Sequence, residues 1–346
     1  MRVLVTGGAG FIGSHLVDAL LERGDEVCVL DTVSTGRLEN IEHHFTNAAL
    51  WFVRDSILNR QVVAELTAAS DLVFHLAAAV GVRHIVRDPL QSIITNVAGT
   101  ENVLAAAYTH RKKVVLASSS EVYGKSTKVP LREDDDRVLG PTAINRWSYS
   151  SAKAIDEHFA FAYAAKGLPV TVLRFFNTYG PRIHVNGYGS VVARFIRQAL
   201  TGQPITVHGD GRQTRSFTYV EDTVAGILLA GEAAGEGRVF NIGNPRETTV
   251  LDLALLIKTL GGSTSDIILA PYADYYGQSY EDTRRRLPDI TRAKGVLGFN
   301  PQISLEEGLQ RTIGWCRANG FAGPGVAPAS SPGVAPTSSL PPALAS

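Results

Sequence analysis

Tyr149-Ser150-Ser151-Ala152-Lys153 sets a phenol and an ammonium four residues apart in sequence. That spacing puts both side chains on one face of a helix, one turn apart. A Lys charge there favours the phenolate and draws the phenol down from its ordinary pKa near ~10. A phenolate at neutral pH can take a proton from a sugar hydroxyl while a nicotinamide takes the hydride. A second chemical signal lies upstream at Gly7-Gly8-Ala9-Gly10-Phe11-Ile12-Gly13. This loop follows an apolar strand and opens a helix, and Asp31 ends the next strand at about the ~20-residue distance a dinucleotide site requires. Gly7, Gly10 and Gly13 allow a tight turn and close approach of backbone to ligand, Phe11 and Ile12 lie within the same loop, and the helix N-terminus faces the pyrophosphate. Asp31 can accept both ribose hydroxyls and would repel a 2′-phosphate, which favours NAD over NADP. Together the two motifs describe redox chemistry on an alcohol.

The elements that must hold these groups are legible as alternation. Val3-Leu4-Val5, Val27-Cys28-Val29-Leu30, Trp51-Phe52-Val53, Leu72-Val73-Phe74, Val114-Val115-Leu116 and Val170 to Phe175 read as strands buried on both faces. Helical patterns separate several of them, at Phe11 to Arg23 and Thr95 to Tyr108. Strands alternating with helices predict an α/β fold, a Rossmann-like doubly wound parallel sheet. Past Gly180 the pattern loosens, with amphipathic stretches at Val191 to Leu200 and Val250 to Leu260. Residues 1–178 are therefore expected to form the NAD-binding domain, with later segments free to return to it. Residues 179–321 should form mainly a smaller α/β C-terminal lobe over the strand ends, where open sheets bind ligands. From residue 322 a Pro-Gly-Val-Ala-Pro repeat takes over, at Pro324 and again at Pro332. With no charges and few large apolar groups, residues 322–346 are expected to be a disordered tail.

Composition narrows the class further. The 33 basic residues balance the 33 acidic ones over 346 residues, which argues against a nucleic-acid partner. Cys28 and Cys316 are the only cysteines; they give no disulfide framework, and Cys28 sits in an apolar run as a small core residue. Met1-Arg2 leads straight into a strand rather than a signal sequence, and no uninterrupted apolar stretch approaches the ~18 residues of a membrane span. A cytoplasmic protein without membrane partners is expected. His75 and His84 lack partners at metal-ligand spacing, so no metal is assigned.

The Gly-x-x-Gly-x-x-Gly loop together with Tyr-x-x-x-Lys resembles the extended short-chain dehydrogenases/reductases that act on nucleotide sugars, over residues 1 to about 318. The resemblance implies that Asp55, His75-Leu76-Ala77-Ala78 and Asn96 line the adenine, the dinucleotide and the helix beside the active site. It also implies that Asn177 and Arg215 hold the substrate diphosphate, with Val191 and His208 in the same substrate region. An Arg suits that task because a guanidinium binds phosphate through two charge-assisted bonds. The substrate so implied is a UDP-sugar, and the protein a homodimer through the helices around Asn96 to Tyr108 and Tyr149 to Tyr163.

The segment Ser118-Ser119-Ser120-Glu121-Val122-Tyr123-Gly124 separates the reactions. Ser119 stands where the family bonds the reacting 4-hydroxyl. Ser120 replaces the Asp typical of dehydratases, and Glu121 counts against epimerisation. The motif is similar to UDP-glucuronate decarboxylases, the UDP-xylose synthases, as are Gly140 to Tyr149 and Arg286-Leu287-Pro288. In that reading Tyr149 is the base, Lys153 tunes it and binds the nicotinamide ribose, and Glu121, Ser120 and Arg286 serve decarboxylation and protonation. Glu121 beside an anionic substrate is expected to have a raised pKa, as proton transfer at neutral pH requires. Val80-Gly81-Val82-Arg83-His84 looks more like UDP-glucuronate 4-epimerases and offers Arg83 to the carboxylate. The alternatives are a 4-epimerase, distinguished by whether CO2 is lost, and a non-catalytic NAD-binding scaffold, which would have no need for Ser119, Tyr149 and Lys153 together.

Overall fold

The protein is described by a computed structural model covering residues 1–80, 88–183, 190–232, 236–272 and 281–320. Six strands of the first half are β1 (Arg2–Thr6), β2 (Glu26–Leu30), β3 (Leu50–Val53), β4 (Leu72–His75), β5 (Lys113–Ser119) and β6 (Val170–Phe175). They are followed by β7 (Thr178–Tyr179), β8 (Ile205–His208), β9 (Thr214–Ser216), β10 (Thr218–Tyr219), β11 (Arg238–Ile242), β12 (Glu247–Thr249), β13 (Ile267–Ala270) and β14 (Arg285–Arg286). The main sheet has seven strands in the order β11-β6-β5-β4-β1-β2-β3, every pairing parallel. The strand order reverses beside β1, between β2 and β4, and there the chain leaves a crevice at the carboxyl ends of the strands.

Alternation along each strand sends side chains into two cores. Val3, Val5, Val27, Val29 and Phe74 meet the helices Phe11–Glu22 and Val220–Gly231 on one face. Leu4, Cys28, Leu30, Val73 and Leu116 meet the helices Arg60–Ala68, Pro89–His110 and Ser148–Ala165 on the other. Apolar residues at successive positions are what a strand covered on both sides needs. Cys28 lies within that packing, and burial pushes its thiol up to about 12, in keeping with a core residue.

One helix starts earlier than expected, and one later segment joins the main sheet as the sequence reading allowed. The helix expected over Thr95 to Tyr108 begins at Pro89, because Asp88 accepts a hydrogen bond from the Gln91 N–H at 3.0 Å and Pro89 occupies the first turn, where its missing N–H costs nothing. And β11, far along the chain, returns to the main sheet beside β6. The remaining segments past residue 179 supply three small sheets, β10-β7, β12-β9-β14 and β13-β8, and the helices Val191–Leu200 and Val250–Leu260. The repeat at 322–346 and Arg83 lie outside the described residues.

Candidate active site

The crevice encloses about 750 Å³ and is walled by Gly7, Gly10, Phe11, Ile12, Gly13, Asp31, Asp55, Leu76, Ala77 and Ala78, with Tyr149 and Lys153 at its inner end. Its floor is shaped by absent side chains. Gly7 has φ +75°, and a Cβ there would stand 2.7 Å from the Ala77 nitrogen. A Cβ on Gly13 would meet the Gly7 carbonyl oxygen at 2.1 Å. Only glycine allows the chain to turn this tightly and leaves backbone N–H groups open to a pyrophosphate. Asp31 accepts the N–H of Val33 at 2.8 Å and of Ala9 at 3.0 Å. Burial nonetheless pushes its carboxyl up against those two bonds, leaving a carboxylate suited to accept ribose hydroxyls. Asp55 holds the Ser56 N–H and the Asn59 amide at 2.6 and 2.9 Å. The residues present fit a dinucleotide.

Asn96 does not join this wall. It is buried and grips the backbone of Ala79, accepting from its N–H at 2.7 Å and donating to its carbonyl at 3.2 Å. Its part is to fix the turn after β4, whose Leu76, Ala77 and Ala78 do face the cavity. The wall positions on that helix belong to Gln91 and Thr95. His75, at the end of β4, bonds Thr6 through Nδ1 at 2.7 Å and Thr100 through Nε2 at 3.0 Å. Burial, reinforced by the Lys153 charge, lowers its pKa to about 3, so it serves as a neutral cross-link.

The reacting groups gather where β5 ends. Ser119 caps the following turn, its hydroxyl accepting the Glu121 N–H at 3.2 Å, and it also hydrogen-bonds Tyr149. Lys153 donates to the Ala117 carbonyl at 3.0 Å and to Asp156 at 3.2 Å. The expected lowering of the Tyr149 phenol by Lys153 does not appear in the protein alone. Burial pushes the phenol well above its ordinary range, the charges of Glu121 and Asp156 push it further, and the Ser119 bond and Arg146 only partly oppose them. The Lys153 ammonium is engaged by Asp156 instead.

Glu121 also departs from expectation. Burial would raise its carboxyl, but Arg146 at 2.6 Å from Oε2 and Arg286 at 2.6 Å from Oε1 overcome that and hold it well below the usual carboxylate range. Before substrate arrives it is a carboxylate clamped between two guanidinium groups, not a poised acid. Behind it the Ser118 hydroxyl donates to Glu157 at 2.5 Å, and Glu157 binds Arg174 through both oxygens at 2.9 and 2.7 Å. This buried pair anchors the end of β5 to β6.

A second cavity of about 280 Å³ opens beside the first and is lined by Asn177, Val191, His208, Arg215 and Arg286. Glu121, Asn177, Thr178 and Arg286 belong to both, so the two spaces share a boundary at the reacting groups. Ser120 faces the larger one. Arg215 extends from β9 and binds Asp282 at 2.6 Å and the carbonyls of Thr214 and Thr283 at 2.8 Å. Asp282 also accepts from the Tyr272 hydroxyl at 2.8 Å. Asn177 sits at φ +23°, a strained angle that clusters at functional sites. Sequence reasoning passed over Arg146, Tyr272 and Asp282. Arg146 carried a signal: it stands three residues before Tyr149, the separation that puts two groups on one helical face. Tyr272 and Asp282 carried none, because only the fold brings them to Arg215.

A crevice that fits a dinucleotide, lined also by Ser119, Tyr149 and Lys153 and with an Arg-lined cavity alongside, is the site of an extended short-chain dehydrogenase/reductase of the nucleotide-sugar epimerase/dehydratase group. The sequence profile of the NAD dependent epimerase/dehydratase family matches residues 3–243; the chain belongs to that family, and its cofactor is NAD. Similar proteins include a UDP-N-acetyl-alpha-D-glucosaminuronate decarboxylase of Bacillus cytotoxicus, 43% identical over 91% of this chain and 98% of its own. Another is UDP-glucuronic acid decarboxylase 1 of Xenopus tropicalis, 39% identical over 91% of this chain and 72% of its own. Among solved structures, UDP-glucose 4-epimerase of Thermotoga maritima superposes with a TM-score of 0.83 at 37% identity, covering 92% of this chain and 99% of that one.

Proposed function

We propose that the protein is an NAD-dependent UDP-glucuronate decarboxylase. The observation that carries this reading is the contact of Glu121 with Arg286 at the boundary of the two cavities. It is supported by relatives named as decarboxylases of UDP-uronates, among them the two described above. NAD, when bound, accepts a hydride from C4 of the sugar and can return it. Tyr149 takes the C4 hydroxyl proton, oriented by Ser119, so its phenolate must form as the complex assembles. The resulting ketone lies β to the C5 carboxylate. The bond from C5 to the carboxyl carbon then breaks, CO2 leaves, and its electron pair remains as an enolate. Arg286 receives the carboxylate and supports the developing enolate charge. A substrate carboxylate that draws on Arg286 weakens that residue's hold on Glu121. This raises the Glu121 carboxyl toward protonation, and Glu121 or its bound water then supplies the proton to C5. Ser120 faces the same space. Asn177, Val191, His208 and Arg215 hold the UDP portion, and Arg83 is offered to the carboxylate. The product is a UDP-4-keto-pentose; return of the hydride to its ketone would give UDP-xylose.

Residues 1–178, with β11 added, serve as the NAD-binding domain and 179–321 mainly as the nucleotide-sugar lobe. No helix among the described residues is long and apolar enough to cross a membrane. A cytoplasmic setting is proposed because both cysteines are free thiols, which suits a reducing compartment. Leu90, Ile93 and Ile94 are exposed on one helix and Ile155 on the helix that packs against it, whose Tyr163 ring meets Tyr108 at 5.6 Å. This apolar face supports a homodimer. The rival reaction is 4-epimerisation, which the Thermotoga likeness keeps in view. Release of CO2 from UDP-glucuronate by the NAD-loaded protein tests the proposal; a product that keeps the carboxyl carbon would refute it.

A further inference from the structure

Asp18, His43 and His44 gather three metal-ligating side chains at a place that lines neither cavity. Asp18 lies on the helix Phe11–Glu22, and the two imidazoles lie on the turn Glu42–His44. Both Nε2 atoms face one carboxylate oxygen, Oδ1 of Asp18, His43 at 3.1 Å and His44 at 2.8 Å. All three donor atoms fall within 4.8 Å of one another. Ligands of a tetrahedral zinc ion, bonded at about 2.0–2.1 Å, stand about 3.3 Å apart. Small movements of these side chains would therefore let them close around an ion.

The donors are held from behind. Arg182 Nη1 lies 2.7 Å from the other Asp18 oxygen, Oδ2, which leaves Oδ1 to the imidazoles. The connection from β2 to β3 that carries them is fixed to Ala9, whose carbonyl accepts the Arg37 N–H at 3.0 Å and the Asn40 amide at 2.9 Å. Outer contacts of this kind orient ligands and strengthen metal binding. Arg182 also sets a like charge near an incoming cation, and the His43 side chain is 46% exposed; both favour an exchangeable ion over a permanent one. The same connection begins with Asp31, Thr32, Ser34 and Thr35 on the cofactor crevice. An ion at its far end would fasten it to the helix that follows the glycine loop. The cluster is hidden in the sequence because Asp18 stands 25 residues before His43.

We propose that Asp18, His43 and His44 form a binding site for a divalent transition-metal ion of the zinc class, with water completing its coordination. Two imidazole nitrogens and one carboxylate oxygen suit such an ion better than magnesium or calcium, which take oxygen ligands. Bonding to the carboxylate alone needs a proton on each Nε2, whereas ligation needs both nitrogens bare. The inference goes beyond the decarboxylase reading and does not depend on it.

The test is calorimetric titration of the full chain, first stripped of metal, with zinc chloride. The parent protein should take up one zinc ion per chain. His44→Ala and Asp18→Asn should each weaken zinc by more than about 100-fold, beyond the tenfold to 100-fold that residues behind a ligand contribute. His158→Ala, which removes an exposed imidazole from the helix Ser148–Ala165, should bind zinc as the parent does. No uptake by the parent protein at about 100 μM zinc would overturn the proposal. So would variants at His44 and Asp18 that bind as tightly as the parent, because the ion would then sit elsewhere. If Asp18→Asn does not fold, the imidazoles decide: lost binding in His43→Ala and His44→Ala supports the site, and unchanged binding overturns it.

Discussion

Tyr149 has to lose a proton before it can take one from a sugar hydroxyl, and in the protein alone burial, Glu121 and Asp156 all resist that loss. Removing the hydroxyl tests its role directly. Tyr149→Phe should lower turnover on the order of 100- to 10,000-fold, the usual worth of a general base, while calorimetric affinity for NAD stays near the parent value. His75 gives a second test, through stability. Its folded pKa of about 3 lies below the ordinary 6.5, so between those values the unfolded chain binds the extra proton. Stability contributed by neutral His75 is therefore complete above pH 6.5 and lost as pH falls toward 3. At about pH 5 the loss should be on the order of 2 kcal/mol. Glu121, with its lowered pKa, acts in the same direction at more acidic pH. Denaturant titrations of His75→Gln should show a shallower decline from neutral pH to about pH 5 than the parent protein; an equal decline would contradict the assignment. The roles proposed for Tyr149 and Lys153 rest on residue type and spacing, which the sequence displays directly. Their charge states are not so displayed, because the burial of Tyr149 and the approach of Glu121 come only with packing; Asp156, three residues beyond Lys153 on the same helix, was within reach of the spacing argument.

At the scale of elements, the turn after β4 depends on Asn96 from the neighbouring helix. Asn96→Ala leaves the Ala79 N–H without its partner and the Ala79 carbonyl with only the Ser92 hydroxyl at 3.4 Å, and the loop that walls the cofactor crevice should slacken. About a tenfold rise in the NAD dissociation constant is expected, with little change in turnover at saturating NAD; a fall in turnover alone would refute this positioning role. The strands and the helices Val191–Leu200 and Val250–Leu260 were legible from apolar periodicity, which reports burial directly. The start of the Pro89–His110 helix was not, although Asp88-Pro89 is a cap signal. An apolar pattern marks where a helix is buried, and the first two turns of this one bear exposed Leu90, Ile93 and Ile94.

Across the whole molecule, two cavities have to share a boundary for one sugar to touch both the cofactor crevice and Arg286. That meeting joins β5, the Ser148–Ala165 helix and β14, which are far apart in the chain. Local sequence named Glu121 and Arg286 by their likeness to a family, but their contact is a property of the fold. The exposed apolar face on the two packed helices makes a prediction at the same scale. Light scattering should report a dimer for the parent protein and a monomer when Ile94 and Ile155 are both changed to Arg, since buried unpaired charges are strongly unfavourable; a dimer that survives both changes would place the interface elsewhere. The central claim is that the sugar loses its carboxyl group at this boundary. NMR of UDP-glucuronate labelled at the carboxyl carbon, incubated with the protein and NAD, tests it most directly. The account predicts that the label leaves as CO2 and bicarbonate while a UDP-pentose or its 4-ketone appears. Label retained in UDP-galacturonate would contradict it and make the protein an epimerase.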